Sequence, residues 1–176
     1  TLLDLIPIIG KAWEHYDDFG NGQTRATDRM SRMQATLYHW EMPAALSDLG
    51  GWTNPDVHNW FGDYVDIIDD KIGDRMEGIA TINEPWCAAY LSHFLGIHAP
   101  GLRDIRATAR AMHHVLTAHG TAIQVMRGLG MENLGGVFNM EWPIPQSGSE
   151  EDYRAAQTYD GIYNRFFVEG IFNRRY

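Results

Sequence analysis

The sequence predicts an α/β protein in which short strands alternate with long helices around a parallel sheet. Three observations carry this. Apolar runs of four or five residues recur at 35–38, 78–82 and 134–138. The stretches between them place apolar residues at three- and four-residue steps, and Gly, Pro, Asn and Ser gather at the junctions. A strand followed by an amphipathic helix is a βα unit, and from residue 35 onward the chain holds three.

The first strand, 35–38, leads into His39-Trp40 and a loop through Gly50-Gly51-Trp52. Asn54 is the expected N-cap of the helix that follows, with Pro55 at its first position. Its apolar stripe is Val57, Trp60, Phe61, Tyr64, Val65 and Ile68, and Gly73 ends it. The second strand, 78–82, stops before Pro85, which has no backbone donor for a ladder, so Asn83 and Glu84 fall at its carboxyl end. A second helix spans about 104–127, with Ile105, Met112, Leu116 and Met126 on one stripe. The third strand runs into Asn139. A Pro- and Ser-rich loop then leads to a helix over about 150–172, where Ser149 and Asp152 resemble a cap. Residues 1–34, apolar from Leu2 to Ile9 without a clean period, stay unassigned, with helix expected in part.

With 176 residues, 44% hydrophobic and 21% charged, the chain has the composition of one globular unit. A formal charge of −9 without a run of Lys and Arg argues against a nucleic acid or an anionic membrane as partner, and favours a small neutral ligand. No apolar stretch is long enough to span a bilayer, and no basic region precedes the short apolar run near Thr1. Cys87 is the only cysteine, which rules out an internal disulfide and suits a reducing compartment, so cytoplasm is the expected location.

Each strand finishes in polar groups: His39 on the first, Asn83 and Glu84 on the second, Asn139 with Glu141 on the third. A single polar residue at a strand end is ordinary punctuation, but three on successive parallel strands converge on one cleft. An indole follows each, Trp40, Trp86 and Trp142. Such rings offer a flat apolar face and one donor, which suits the C–H surface of a sugar. Trp40 is the stronger ligand candidate, while Trp86 and Trp142 read as packing.

Three segments, Thr36-Leu37-Tyr38-His39-Trp40-Glu41-Met42-Pro43, Leu49-Gly50-Gly51-Trp52 and Thr81-Ile82-Asn83-Glu84-Pro85-Trp86, resemble the successive signatures of family 1 glycoside hydrolases, the β-glucosidase family. The resemblance continues through His98-Ala99-Pro100-Gly101, Ala118-His119-Gly120, Asn139, Asn164-Arg165 and Arg175-Tyr176, covering roughly residues 35–176. It implies a partial (β/α)8 TIM barrel in which this chain supplies the third to fifth βα units, with open sheet edges to be covered by other chains or a complementary fragment. It also implies a retaining β-glycosidase that cuts terminal β-linked sugars. Glu84 maps onto the family's general acid/base and Asn83 onto the group that holds the sugar 2-hydroxyl. His39 and Trp40 match its glycone contacts, and Asn139 is a further strand-end candidate. No cofactor is implied.

Retaining hydrolysis needs one carboxyl to protonate the leaving oxygen and a second to attack the anomeric carbon. The family's Thr-Glu-Asn-Gly segment, which carries the nucleophile, has no counterpart here. Glu132, in Met131-Glu132-Asn133-Leu134-Gly135, does not replace it, since it precedes a strand and so belongs to the opposite edge from Glu84. The competing reading is therefore a catalytically incompetent barrel piece, or an engineered derivative, that binds sugar weakly or associates with its complement. His113, His114 and His119 share a helix, but no pair stands at i and i+4, so no metal site is expected. Cys87 reads as a small buried hydrophobe, and Glu41 and Glu141 receive no catalytic role.

Overall fold

The computed structural model describes residues 33–175. The expectations placed on residues 1–34 fall outside these, apart from Met33 and Gln34, which open the first strand. The elements are β1 (Met33–Tyr38), α1 (Ala44–Asp48), a 3-10 turn (Gly51–Thr53), α2 (Val57–Ile72), a second 3-10 turn (Gly73–Arg75) and β2 (Met76–Asn83). After them come a π-helical turn (Cys87–Leu91), α3 (Ile105–Gly128), β3 (Leu134–Val137), α4 (Glu150–Asp160), a second π-helical turn (Gly161–Arg165) and α5 (Phe166–Phe172).

The three strands form one parallel sheet in the order β1-β2-β3. Tyr38 pairs with Ile82 and Asn83 with Val137, so the carboxyl ends of all three strands lie in one row. This is the parallel sheet that the alternation of elements predicted, and it fits the part of a barrel wall that the resemblance implied. Glu132 lies just before Leu134, which pairs with Ile79 in the first half of β2, and Asn133 donates to the Glu77 carbonyl at 3.0 Å. That turn is at the amino end of the sheet, away from Glu84, as the sequence order required.

The sheet is covered by α2 and α3. Val57, Phe61, Val65 and Ile68 recur along α2, and Ala111, Met112, Val115, Ala118, Ala122 and Met126 along α3, forming a buried core with Ile79 and Ile82 of β2. Residues such as Val65, Val115 and Met126 each contribute about 1.5–3 kcal/mol by leaving water. Small residues let the helices approach: a Cβ on Gly62 would stand 3.0 Å from the Thr121 side chain.

Local signals shifted in three places. Asn54 does not cap α2; its side chain accepts from Asp56 N at 2.8 Å in an Asx turn, and the helix starts at Val57. Asp104 does cap α3, accepting from Arg106 N at 2.7 Å and Ala107 N at 3.2 Å. The single helix expected over 150–172 is interrupted by the π-helical turn at Gly161–Arg165, although Ser149 caps its start by accepting from Asp152 N. Among the described residues no helix is long and apolar enough to cross a membrane.

Candidate active site at the carboxyl ends of the strands

Two of the five expected site residues sit where the backbone leaves its usual range. Trp40 has φ 74° and Glu84 φ 45°, the left-handed region in which side chains other than glycine are crowded. Such a residue costs on the order of 1–3 kcal/mol and persists only where its surroundings hold it, a pattern that concentrates at functional sites. At Glu84 the surroundings are explicit: its N–H donates to the Val137 carbonyl at 2.7 Å and its own carbonyl accepts from Ala88 N at 3.1 Å. The carboxylate therefore stands between the end of the β2–β3 ladder and the start of the next helix.

Asn83, 8% exposed, ends β2, and its carbonyl accepts from the Trp40 indole N–H at 3.0 Å. The Trp40 ring also lies 5.1 Å from that of His98, in the His98-Ala99-Pro100-Gly101 segment, and 5.4 Å from that of His39. The indole donor is thus taken by the protein, leaving the ring itself to meet a ligand. Leu49-Gly50-Gly51-Trp52 supports this corner. Gly50 and Gly51 take φ 105° and 49°, a Cβ on Gly51 would meet the Met42 sulfur at 2.9 Å, and the turn delivers Trp52 Nε1 to the Tyr38 hydroxyl at 2.9 Å.

On the other side of Glu84 the contacts continue into β3 and the last helices. Cys87 is 6% exposed, and Asn139 Nδ2 donates to its sulfur at 3.4 Å. Asn139 also donates to the Tyr163 hydroxyl at 2.6 Å. The Glu141 carboxylate accepts from the Tyr159 hydroxyl at 2.6 Å. Asn164 locks the Glu141 backbone from both sides, accepting from its N–H at 3.1 Å and donating to its carbonyl at 2.7 Å. Burial pushes the Cys87 thiol up to about 12, helped by Glu84, and pushes Tyr159 up to about 12, helped by Glu141. Tyr163 is raised for the same two reasons. These groups stay protonated as donors at ordinary pH.

Trp40, Asn83, Glu84 and Asn139 therefore belong to one run of contacts along the strand ends. His39 joins it by its ring contact with Trp40, but also lines a cavity of about 420 Å3 on the far side of β1, among Leu37, Met42, Leu46, Trp60 and Tyr64. Asn83, Glu84 and Asn139 are not part of that lining. Trp86 packs as expected, stacked on Tyr90 at 4.7 Å and tilted against Tyr163 at 4.3 Å, and its Nε1 is a buried donor without a partner among the described residues. Trp142 does not pack: it is 88% exposed. His114 Nδ1 lies 2.8 Å from the Trp52 carbonyl and His119 Nδ1 2.7 Å from the Thr81 hydroxyl, so these two serve separate structural contacts.

Sequence reasoning missed Cys87, Tyr159 and Tyr163 as parts of the site, and treated Cys87 as plain filler. The available signal was the i, i+4 spacing of Tyr159 and Tyr163, which puts both hydroxyls on one helix face beneath the Asn139–Glu141 segment. Glu141, given no catalytic role by the sequence, accepts from the Tyr159 hydroxyl at 2.6 Å.

Comparison with known proteins places this geometry. Residues 16–176 match Glycosyl hydrolase family 1, a match that starts earlier than the signatures at Thr36 and takes in residues that the motifs alone left out. The chain is 37% identical over 171 residues to a β-glucosidase of Agrobacterium sp., covering 97% of this chain and 37% of that protein. It is 42% identical over 123 residues to β-glucosidase A of Thermotoga maritima, covering 69% of this chain and 28% of that one. In structure it resembles the Thermotoga maritima β-glucosidase solved with glucoimidazole, with TM-score 0.81 and 36% identity over 88% of this chain and 36% of that one. A psychrophilic β-glucosidase from Micrococcus antarcticus gives TM-score 0.82 at 34% identity, over 88% of this chain and 34% of that one. The chain thus spans about a third of the length of the relatives it matches. Its strand order, its signatures and these matches agree that the chain belongs to glycosyl hydrolase family 1.

Proposed function

We propose that this chain carries the acid/base half of a retaining β-glycosidase acting on terminal β-linked sugars, with Glu84 protonating the leaving oxygen and later activating water. The observation that carries the reading is the placement of Glu84 at the end of β2 in a held left-handed conformation, directly after Asn83, whose carbonyl accepts from Trp40, and three positions before Cys87, whose sulfur accepts from Asn139. Asn83 is assigned the sugar 2-hydroxyl, His39 and the Trp40 ring the glycone, and Asn139 a supporting place at the cleft edge.

A second reading is favoured by two specific observations: the chain matches about a third of its relatives' length, and neither β1 nor β3 has a further strand neighbour among the described residues. On its own the chain then binds sugar weakly or associates with a complementary barrel portion, because one carboxylate cannot complete double displacement. Hydrolysis of an aryl β-glucoside separates the readings. The chain alone is expected to be silent. The chain substituted for its matching segment in the Thermotoga maritima enzyme is expected to turn over, with Glu84→Gln removing most of the rate. Turnover indifferent to that substitution overturns the assignment of Glu84.

A further inference from the structure

The cavity of about 420 Å3 beside β1 plays no part in the acid/base reading. Its lining takes Thr36, Leu37, Tyr38 and His39 in succession. Neighbouring residues of a strand point to opposite faces, so four in a row are met together only along the strand's edge. β2 holds one edge of β1, and among the described residues no strand holds the other. The rest of the wall includes Leu46 of α1 and Trp60 of α2, and the Tyr64 hydroxyl of α2 reaches over to the Leu37 carbonyl at 3.3 Å. An unpaired edge beside an apolar hollow calls for a cover.

The sheet shows where such a cover comes from. The chain returns to the amino end of β2 through α2 and to that of β3 through α3, and these two helices pack against each other. By the same step, the residues that lead into Met33 run back along β1 on the side of α2 away from α3, where Trp60 and Tyr64 line the cavity. The six residues of β1 span about 20 Å at about 3.3 Å each, a length that a helix covers in about 13 residues. Counting back from Met33 through that length and a turn of about 2–6 residues arrives near Tyr16. Ala12, Trp13, Tyr16 and Phe19 stand there at helical spacing, with Lys11, Glu14, Asp17 and Asp18 among them. The family match begins at residue 16 and the Agrobacterium alignment covers 97% of the chain, so this stretch belongs with the sheet rather than to an appendage. We propose that residues 12–19 cover the free edge of β1, with Trp13, Tyr16 and Phe19 filling the cavity against Leu46, Trp60 and Tyr64. Because His39 lines the same cavity, the cover also fixes the wall behind a residue assigned to the glycone.

Photocross-linking in the full chain tests this. The photoreactive residue p-benzoylphenylalanine replaces Leu46 in one variant and Trp60 in another, with circular dichroism confirming the fold of each. Each is irradiated alone and mixed with unsubstituted, isotope-labelled chain, and the joined peptides are identified by mass spectrometry. Capture of an unlabelled peptide from residues 12–19 by either probe is the expected result. Three results overturn the proposal: capture of a different segment only, which means another cover; capture of labelled chain only, which means a face between copies; and no capture by either probe, which means a hollow left to solvent or a small ligand. The readout involves no turnover, so it stands apart from the assignment of Glu84, which the glycoside assay tests.

Discussion

On the β2–β3 side of the strand ends donors and acceptors close on one another: the Glu84 backbone with Val137 and Ala88, Asn139 with Cys87 and Tyr163, Tyr159 with the Glu141 carboxylate, and Asn164 with the Glu141 backbone. On the β1 side the arrangement is looser. His39 is exposed, Trp40 is held by one bond to the Asn83 carbonyl, and a cavity of about 420 Å3 opens beside Leu37, Met42 and Trp60. The difference shows how the family's chemistry is divided along the chain. The group assigned to proton transfer is braced within this segment, whereas the groups assigned to grip the sugar stand at a less filled edge. Rigid bracing suits a residue whose position within a fraction of an ångström sets the rate, and an open edge suits residues that must admit a ligand.

Acid should break the β2 side first, because two buried imidazoles act there together. Burial lowers the pKa of His93, which is 1% exposed with Nδ1 3.0 Å from the Ala89 carbonyl. Burial, with a smaller contribution from Arg127, lowers that of His119 beside Thr81 of β2. A histidine whose folded pKa lies below its unfolded value of about 6.5 contributes its full stability above that pH, and the contribution is lost as pH falls through the folded value. Urea unfolding followed from about pH 7.5 to about pH 5 should therefore show stability declining below about 6.5. His119→Asn should flatten the slope, and a slope unchanged by that substitution would contradict the account.

Two tyrosines then sharpen the contrast. Tyr163→Phe removes a buried hydroxyl that accepts from Asn139 at 2.6 Å, and should cost about 1–3 kcal/mol in urea unfolding because the Asn139 amide is left short. Tyr64→Phe removes a single 3.3 Å bond to the Leu37 carbonyl on the β1 side, and should cost about 0.5 kcal/mol or less. Equal costs would mean that the two sides are braced alike.

Much of this was legible before any coordinates. Short apolar runs located the three strands, and the period-3.6 pattern the cores of α2 and α3, because burial dictates residue type there. The Asn83-Glu84-Pro85 break located the end of β2, because proline cannot extend a ladder. The extent of α2 was misread at Asn54 because an Asx turn and an N-cap use the same side-chain acceptor, and only the backbone distinguishes them. The contacts of Cys87 and Tyr163 were hidden for a different reason: the two residues lie 52 and 24 positions from Asn139, the partner they share, and neither pattern nor propensity encodes such closure. The exposure of Trp142 was equally invisible, since sequence gives a loop residue no packing partner to exclude.

The most direct test of the central claim is a comparison of leaving groups. In the Thermotoga maritima enzyme carrying this chain in place of its matching segment, kcat/KM is measured for an activated aryl β-glucoside and for an unactivated alkyl β-glucoside, with Glu84 and with Glu84→Gln. A proton donor matters most where the departing oxygen is basic, so the account predicts that the alkyl glucoside loses on the order of a hundredfold or more and the activated aryl glucoside far less. Equal losses on both substrates would mean that Glu84 does not protonate the leaving group.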